Sequence, residues 1–146
     1  MSGWSGRTKP CSRADAQGRF RRAETFLYVA DLVLGEEVGS DEDDDGINLS
    51  GVSALFAVLA GIAAADAACC HRLAAHSRGQ DHKQAVALVR TVIPNGPAMA
   101  NDLDRLLDLQ DNAHNDVLGV SQTEARSAVE QARRVVEAAK AVLATP

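Results

Sequence analysis

Four polar side chains fall on helix faces that are otherwise apolar, and they are the residues best placed to do chemistry. Asp66 lies four residues after Ile62, and His82 stands at the start of the next apolar face along the chain. Gln110 and His114 are four residues apart and continue the apolar face of a fourth helix. A carboxylate beside an imidazole fixes its tautomer and raises its pKa, which suits proton transfer.

The partner of Asp66 decides whether these residues form a site. A buried carboxylate without a partner is driven towards its neutral form, so Asp66 requires His82, His114 or an arginine beside it. With a histidine partner, Asp66, His82 and His114 become candidate catalytic residues. The same pairing can also join two helices without a chemical role, and the sequence leaves both interpretations open.

Further polar residues surround His114 in the segment DLQDNAHNDV, residues 108–117. Gln110, Asp111 and Asn112 are candidate binding residues there, and Arg105 is the nearest arginine before them. The alternative is a polar turn before the last helix, because Asn and Asp are common turn residues.

A cysteine and histidine cluster is a weaker candidate for metal binding. Cys69, Cys70, His71 and His76 invite a zinc interpretation, but adjacent helical residues point about 100° apart and no C-x-x-C spacing is present. We therefore predict no metal site, and the sequence indicates no cofactor.

Each of two charged clusters could be either a binding site or a solvent-exposed surface without a specific role. Arg19, Arg21 and Arg22 could hold phosphates, but a solvated helix face is favoured. The acidic loop 36–48 could hold a cation through its alternating aspartates. It lacks the full calcium-loop spacing and the bidentate glutamate, so a solvated connection is favoured there too.

Composition limits the class of protein. The chain has 146 residues, 46% of them hydrophobic and only 3% aromatic, so its core must consist of Ala, Val and Leu. The net charge of −5 argues against a generally basic surface for nucleic acid. We predict a flexible tail over residues 1–13 and a single helical domain over 14–146.

Apolar residues spaced three and four apart predict helices, and no segment shows the alternation of a strand. The first two helices cover 14–34 and 49–76. The third follows a cap at Asp81, the fourth begins near Pro97, and the fifth follows a capping box that starts at Ser121. The pattern predicts an all-α fold, an antiparallel up-and-down bundle of about five helices.

The second predicted helix is the most apolar part of the chain. Residues 52–65 carry no charge, which is short of the roughly 18 residues of a confident membrane span. We predict a buried core helix whose inward stripe includes Val52, Leu55 and Ile62 and continues to Asp66.

The cysteines bear on the cellular compartment. Cys11, Cys69 and Cys70 are an odd number with two adjacent, which is not a disulfide framework. The first residues lack the apolar stretch of a secretory signal. We predict a cytoplasmic protein with reduced thiols.

Two long stretches resemble the HEPN-like helical proteins of bacteria, particularly small actinobacterial members. They are AVLAGIAAADAACCHRLAAHSRGQDHKQAVALVRTV and LDRLLDLQDNAHNDVLGVSQTEARSAVEQARRVVEAA, which lie within residues 49–143. The resemblance depends on the helix order, the DHKQAV segment, the polar break before the final helix and the VSQTEARSAVEQA opening of that helix.

The resemblance implies a bundle that often dimerises, in a family that includes metal-independent ribonucleases of toxin–antitoxin, abortive-infection and CRISPR-related systems. It implies that His114 is the acid–base histidine, while an arginine separated from it by four to six intervening residues stabilises phosphate charge. No arginine occupies that place, because Leu109 and Gln110 stand nearer and Arg105 is too distant.

We therefore expect a HEPN-like binding or interaction module with a degenerate catalytic site, associated with RNA or bacterial defence. The expected partners are a second copy of the chain and an RNA or an antitoxin-like protein, with no membrane. One alternative is an active metal-independent endoribonuclease toxin that uses His114. Another is a small-ligand or nucleotide-binding bundle that uses Asp66, His82 and Gln110.

Overall fold

The computed structural model describes four stretches of the chain, which are residues 8–39, 49–78, 81–115 and 119–146. The side chains of residues 37–39 and 113–115 lie outside this description. The described stretches form an all-α bundle, as predicted. Its helices are α1 (Arg13–Gly39), α2 (Leu49–Leu73), α3 (His82–Arg90), α4 (Gly96–Asn115) and α5 (Gln122–Leu143).

A small antiparallel sheet accompanies the helices, although the sequence predicts no strand. Strand β1 (Thr8–Pro10) pairs with β2 (Ala75–Ser77), with Lys9 opposite His76. Each strand has three residues, too few for an alternating pattern to show in the sequence. The prediction of a flexible tail through residue 13 is therefore wrong from residue 8 onwards, while residues 1–7 lie outside the described part.

A disulfide between Cys11 and Cys70 fastens the first strand to the end of α2. The two Cα atoms are 5.4 Å apart, although 59 residues separate them in the sequence. The prediction of reduced thiols is wrong for these two cysteines, because adjacency of Cys69 and Cys70 does not reveal which of them faces the N-terminal segment. Cys69 is a buried free thiol. The cytoplasmic location stays a prediction and loses this supporting observation.

Helix α2 ends three residues before the predicted boundary at His76. Ala74 adopts a left-handed backbone conformation with φ of 58°, which stops the helix. Its carbonyl then accepts a hydrogen bond of 3.0 Å from the backbone amide of Cys11. A glycine usually occupies such a position, so the alanine at residue 74 did not indicate in the sequence that the helix ends there.

Helix α2 lies at the centre of the bundle and contacts α1, α4 and α5. Its buried face consists of small residues such as Ser53, Ala57 and Ala64. The predicted inward stripe is wrong at its start, since Val52 and Leu55 are 39% and 49% exposed, whereas its later members Ala63, Ala67 and Cys70 are buried. Nearly every residue of α2 is apolar, so the spacing of apolar residues does not indicate which face is buried. The buried face carries small residues, which allow neighbouring helices to approach closely.

The length and apolar composition of α2 are also those of a helix that could span a membrane. Within the described residues it is the helix long and apolar enough to cross a membrane, with a mean hydropathy of 2.0 over its most apolar window. The fold buries 67% of that window. The prediction of a buried core helix is therefore confirmed.

Helices α1 and α2 run antiparallel. The hydroxyl of Ser53 donates a hydrogen bond of 2.8 Å to the carbonyl of Ala30, and the rings of Phe26 and Phe56 are 6.0 Å apart. The later residue of α1, Ala30, contacts the earlier residue of α2, Ser53. The start of α1 therefore lies beside the end of α2. Helix α1 runs to Gly39, beyond the predicted end at residue 34.

The polar segment before the last helix is itself helical, because α4 extends through Asn115. The alternative of a polar turn over residues 108–115 is therefore wrong. Ser121 and Glu124 form the predicted capping box of α5. The buried face of α5 repeats every three or four residues and consists of Ala125, Ala128, Val129, Ala132, Val135, Val136, Ala139 and Val142. Residues 40–48, with most of the acidic loop, lie outside the described part.

Candidate functional site

A cleft of about 480 Å³ lies between α2, α3 and α4. Its apolar walls come from Ile62, Leu88, Leu103 and Leu107, and no aromatic side chain lines it among the described residues. The volume falls within the roughly 300–1,000 Å³ of small-molecule sites. Leu88 and Leu103 are only 4% and 2% exposed, so two of the walls belong to the core itself.

Five polar side chains line the same cleft, namely those of Asp66, Ser77, His82, Gln110 and Asp111. Four of them are among the seven residues that the sequence proposed for a site. The polar residues that interrupt the apolar faces of α2, α3 and α4 therefore lie together in one cleft. Ser77 was not predicted, because it lies in β2, which left no signal in the sequence.

Asp66 reaches the cleft because it shares the least buried face of α2 with Val52, Leu55 and Ile62. The periodicity correctly grouped Asp66 with these residues. The predicted inward direction was wrong for the exposed Val52 and Leu55, while Ile62 and Asp66 line the cleft. Asp66 is thus sheltered but accessible to a molecule that enters the cleft, with 21% of its side chain exposed.

The partner of Asp66 is Arg19 of α1, one of the alternatives that the sequence left open. Oδ2 of Asp66 lies 3.7 Å from Nη1 of Arg19, and no described residue donates a hydrogen bond to the carboxylate. Burial raises the pKa of Asp66 from 3.8 to about 7, and the positive charge of Arg19 only partly opposes this rise. The carboxyl group therefore changes charge near neutral pH.

Arg19 also contacts His76, and this second contact limits how strongly its guanidinium group can stabilise the charge of Asp66. Its Nη2 donates a hydrogen bond of 3.1 Å to Nε2 of His76, whose Nδ1 donates to the carbonyl of Ser77 at 2.8 Å. His76 is thus neutral, and burial is the main reason that its pKa lies below the usual value. This role of Arg19 could not be predicted from the sequence, because it depends on how α1 aligns with α2.

His82 forms a His–Asp pair, but with a carboxylate other than Asp66. Its Nδ1 lies 3.3 and 3.4 Å from the two carboxylate oxygens of Asp111 on α4. His82 is the first residue of α3, where the Asp81 side chain accepts hydrogen bonds from the backbone of Lys83 and Gln84. The two side chains are 34% and 58% exposed, so the pair is open to solvent and to a molecule that enters the cleft.

Two further side chains complete the chemistry of the cleft. Burial raises the pKa of the Cys69 thiol, and the nearby Asp66 raises it further, so this cysteine stays protonated and is a poor nucleophile. The hydroxyl oxygen of Ser77 is buried and has no hydrogen-bond partner among the described residues.

The remaining candidates do not line the cleft. Arg105 is exposed and lies 3.5 Å from Asp102, while Asn112 is exposed on α4. His114 lies in the last turn of α4, but its side chain is outside the described part, so its catalytic role stays a prediction. Within the described residues, no group of three or more His, Cys, Asp or Glu side chains is arranged to hold a metal ion.

Comparison with known proteins leaves the family open. A scan against protein-family models, a search of curated proteins and a search of solved structures find no match to this chain. The resemblance to HEPN-like proteins therefore stays a prediction, as do the homodimer and the RNA or antitoxin-like partner. Function has to be inferred from the geometry of the cleft.

Proposed function

We propose that this chain is a small-molecule-binding module whose ligand occupies the cleft between α2, α3 and α4 and contacts Asp66. One observation carries the proposal: a carboxyl group that is only 21% exposed lines a cavity and receives no hydrogen bond from any described residue. Small-molecule sites are mostly apolar cavities in which a few polar groups fix the orientation of the ligand. The Asp66 carboxylate is exposed enough to accept a hydrogen bond from a ligand in the cleft.

The ionised form of Asp66 works against folding. Its pKa of about 7, against 3.8 in the unfolded chain, means that the folded protein tolerates the charge poorly. An apolar or amide side chain would avoid this loss of free energy. A destabilising charged group at the wall of a cavity is typical of a binding or catalytic site, where stability is traded against function.

The surrounding residues favour a preformed site over one that forms on binding. Leu103 and Leu88 are core residues as well as walls, and Gly61 lets α2 approach α4 beside Leu106. These contacts fix the spacing of the helices that frame the cleft. Most small-molecule sites are likewise apolar, preformed and equipped with a few polar groups.

A fragment screen with a blocking variant tests the proposal. Ligand-observed NMR would find binders from a mixed set of small amines, alcohols and acids, and ¹⁵N spectra would map each binder on the protein. Ala85 lines the cleft, whereas Ala87 on the same helix does not, so Ala85→Phe should abolish binding and Ala87→Phe should preserve it. Binders that act elsewhere, or that bind the Ala85→Phe protein equally well, would overturn the proposal.

The HEPN-like, RNA-associated role with a degenerate site is a separate proposal. The all-α bundle is the feature of the described residues that fits it. It depends on His114 and not on the cleft, so an RNA assay tests it independently of ligand binding.

A further inference from the structure

We infer that the ligand of this cleft is a small aliphatic primary amine whose ammonium group pairs with Asp66. This inference rests on the proposed function and adds the charge and the shape of the ligand. It follows from three properties of the cleft: the sign of its charge, the nature of its walls and the acceptors that it offers.

The charged groups of the cleft favour a cation. Asp66 and Asp111 contribute two carboxylates, and no lysine or arginine lines the cleft among the described residues. His82 is paired with Asp111, and Arg19 shares its guanidinium between Asp66 and His76. A ligand carboxylate or phosphate would meet like charge there, so the cleft disfavours acids and nucleotides.

The walls favour an aliphatic body. Ile62, Leu88, Leu103 and Leu107 provide branched apolar surface, and Ala65 leaves room between them. Quaternary ammonium groups are recognised by cages of aromatic rings, and nucleobases stack on such rings. The described lining contains neither arrangement, which leaves a compact alkyl chain as the best fit.

The acceptors favour a primary amine. An ammonium group carries three N–H donors. The cleft offers the two carboxylate oxygens of Asp66 and the side-chain amide of Gln110. A primary ammonium can use several of these acceptors, whereas a quaternary group can donate to none.

The test compares three probes of one shape and different charge, which are isoamylamine, isoamyl alcohol and isovalerate. Each is titrated at pH 8 into ¹⁵N-labelled protein, and the dissociation constant is read from cleft resonances. We expect the amine to bind about tenfold more tightly than the alcohol, and isovalerate to bind most weakly. Asp66→Asn should remove the preference for the amine and keep alcohol binding, whereas the exposed control Asp104→Asn should change neither.

The outcomes separate this inference from the function on which it rests. If the alcohol binds as well as the amine, or if Asp66→Asn keeps the preference, the amine assignment is wrong although the cleft still binds ligands. If none of the probes moves a cleft resonance while the fragment screen finds a different ligand there, the amine assignment alone fails. If the screen also finds nothing in the cleft, both fail.

Discussion

Asp66 and Arg19 face each other across the interface of α1 and α2, with 3.7 Å between Oδ2 and Nη1. The distance is too long for a hydrogen bond, and Arg19 bonds instead to His76 at 3.1 Å. Burial therefore outweighs the nearby cation and raises the pKa of Asp66 to about 7. The carboxyl group that faces the cleft thus has an ion-pair partner but no hydrogen bond from a described residue to stabilise its charge.

Replacing Asp66 with asparagine should stabilise the protein in a pH-dependent way. The folded-state pKa of about 7 exceeds the unfolded value of 3.8, so the stability associated with the protonated carboxyl is complete below pH 3.8 and is lost as the pH rises through 7. Asp66→Asn should therefore change the free energy of unfolding little near pH 4. At pH 8 it should raise that free energy by up to about 4 kcal/mol, measured by urea unfolding.

The control for this experiment is Asp104→Asn, because Asp104 is exposed on α4. It should leave the free energy of unfolding nearly unchanged at both pH values. An equal effect of Asp66→Asn at pH 4 and pH 8 would show that the carboxyl does not titrate between them, and the explanation by burial would be wrong.

Arg19 should hold the pKa of Asp66 down. Its positive charge opposes the effect of burial, so Arg19→Gln should raise the pKa of Asp66 above its value in the unmodified protein. The measurement is a ¹³C NMR titration of the side-chain carboxyl groups. Arg21→Gln is the matched control, since Arg21 is exposed on the same helix. If the two variants gave the same titration curve for Asp66, Arg19 would have no electrostatic influence on the cleft.

Features of the fold that depend on local sequence could be predicted. The capping box of Ser121 and Glu124 and the apolar face of α5 follow from spacings of three and four residues. The same spacing placed Asp66, His82 and Gln110 on the faces that meet at the cleft. A polar residue that interrupts an apolar stripe thus predicted the position of the site, because helical periodicity fixes which residues share a face.

Features that depend on how the helices pack could not be predicted. The pairing of Asp66 with Arg19 and of His82 with Asp111 depends on which helices become neighbours. Helix α2 is apolar around almost its whole circumference, so its core face followed from the small size of its residues and not from their spacing. The contact of Cys11 with Cys70 spans 59 residues and leaves no local pattern.

Loss of the Cys11–Cys70 disulfide should destabilise the protein strongly. The bond closes a loop across 59 residues of sequence, for which the chain-entropy model gives about 4 kcal/mol. Cys11→Ser should therefore lower the free energy of unfolding by about that amount. Dithiothreitol should have the same effect on the unmodified protein and no further effect on Cys11→Ser. Cys69→Ala should keep the response to dithiothreitol, and a Cys69→Ala protein that no longer responds would show that Cys69 is the bonded residue.

The degenerate-site prediction and the active-ribonuclease alternative expect opposite results when the protein is incubated with RNA. No arginine stands at the expected spacing before His114, and the net charge is −5, so we expect the purified protein to leave total RNA intact. The assay incubates RNA with the unmodified protein, with His114→Ala and with His82→Ala, and reads the products on a denaturing gel without added metal. Cleavage by the unmodified and His82→Ala proteins but not by His114→Ala would make His114 catalytic, and the degenerate-site prediction would then be wrong. Equal cleavage by all three would remove the role of His114 and point to a contaminating nuclease.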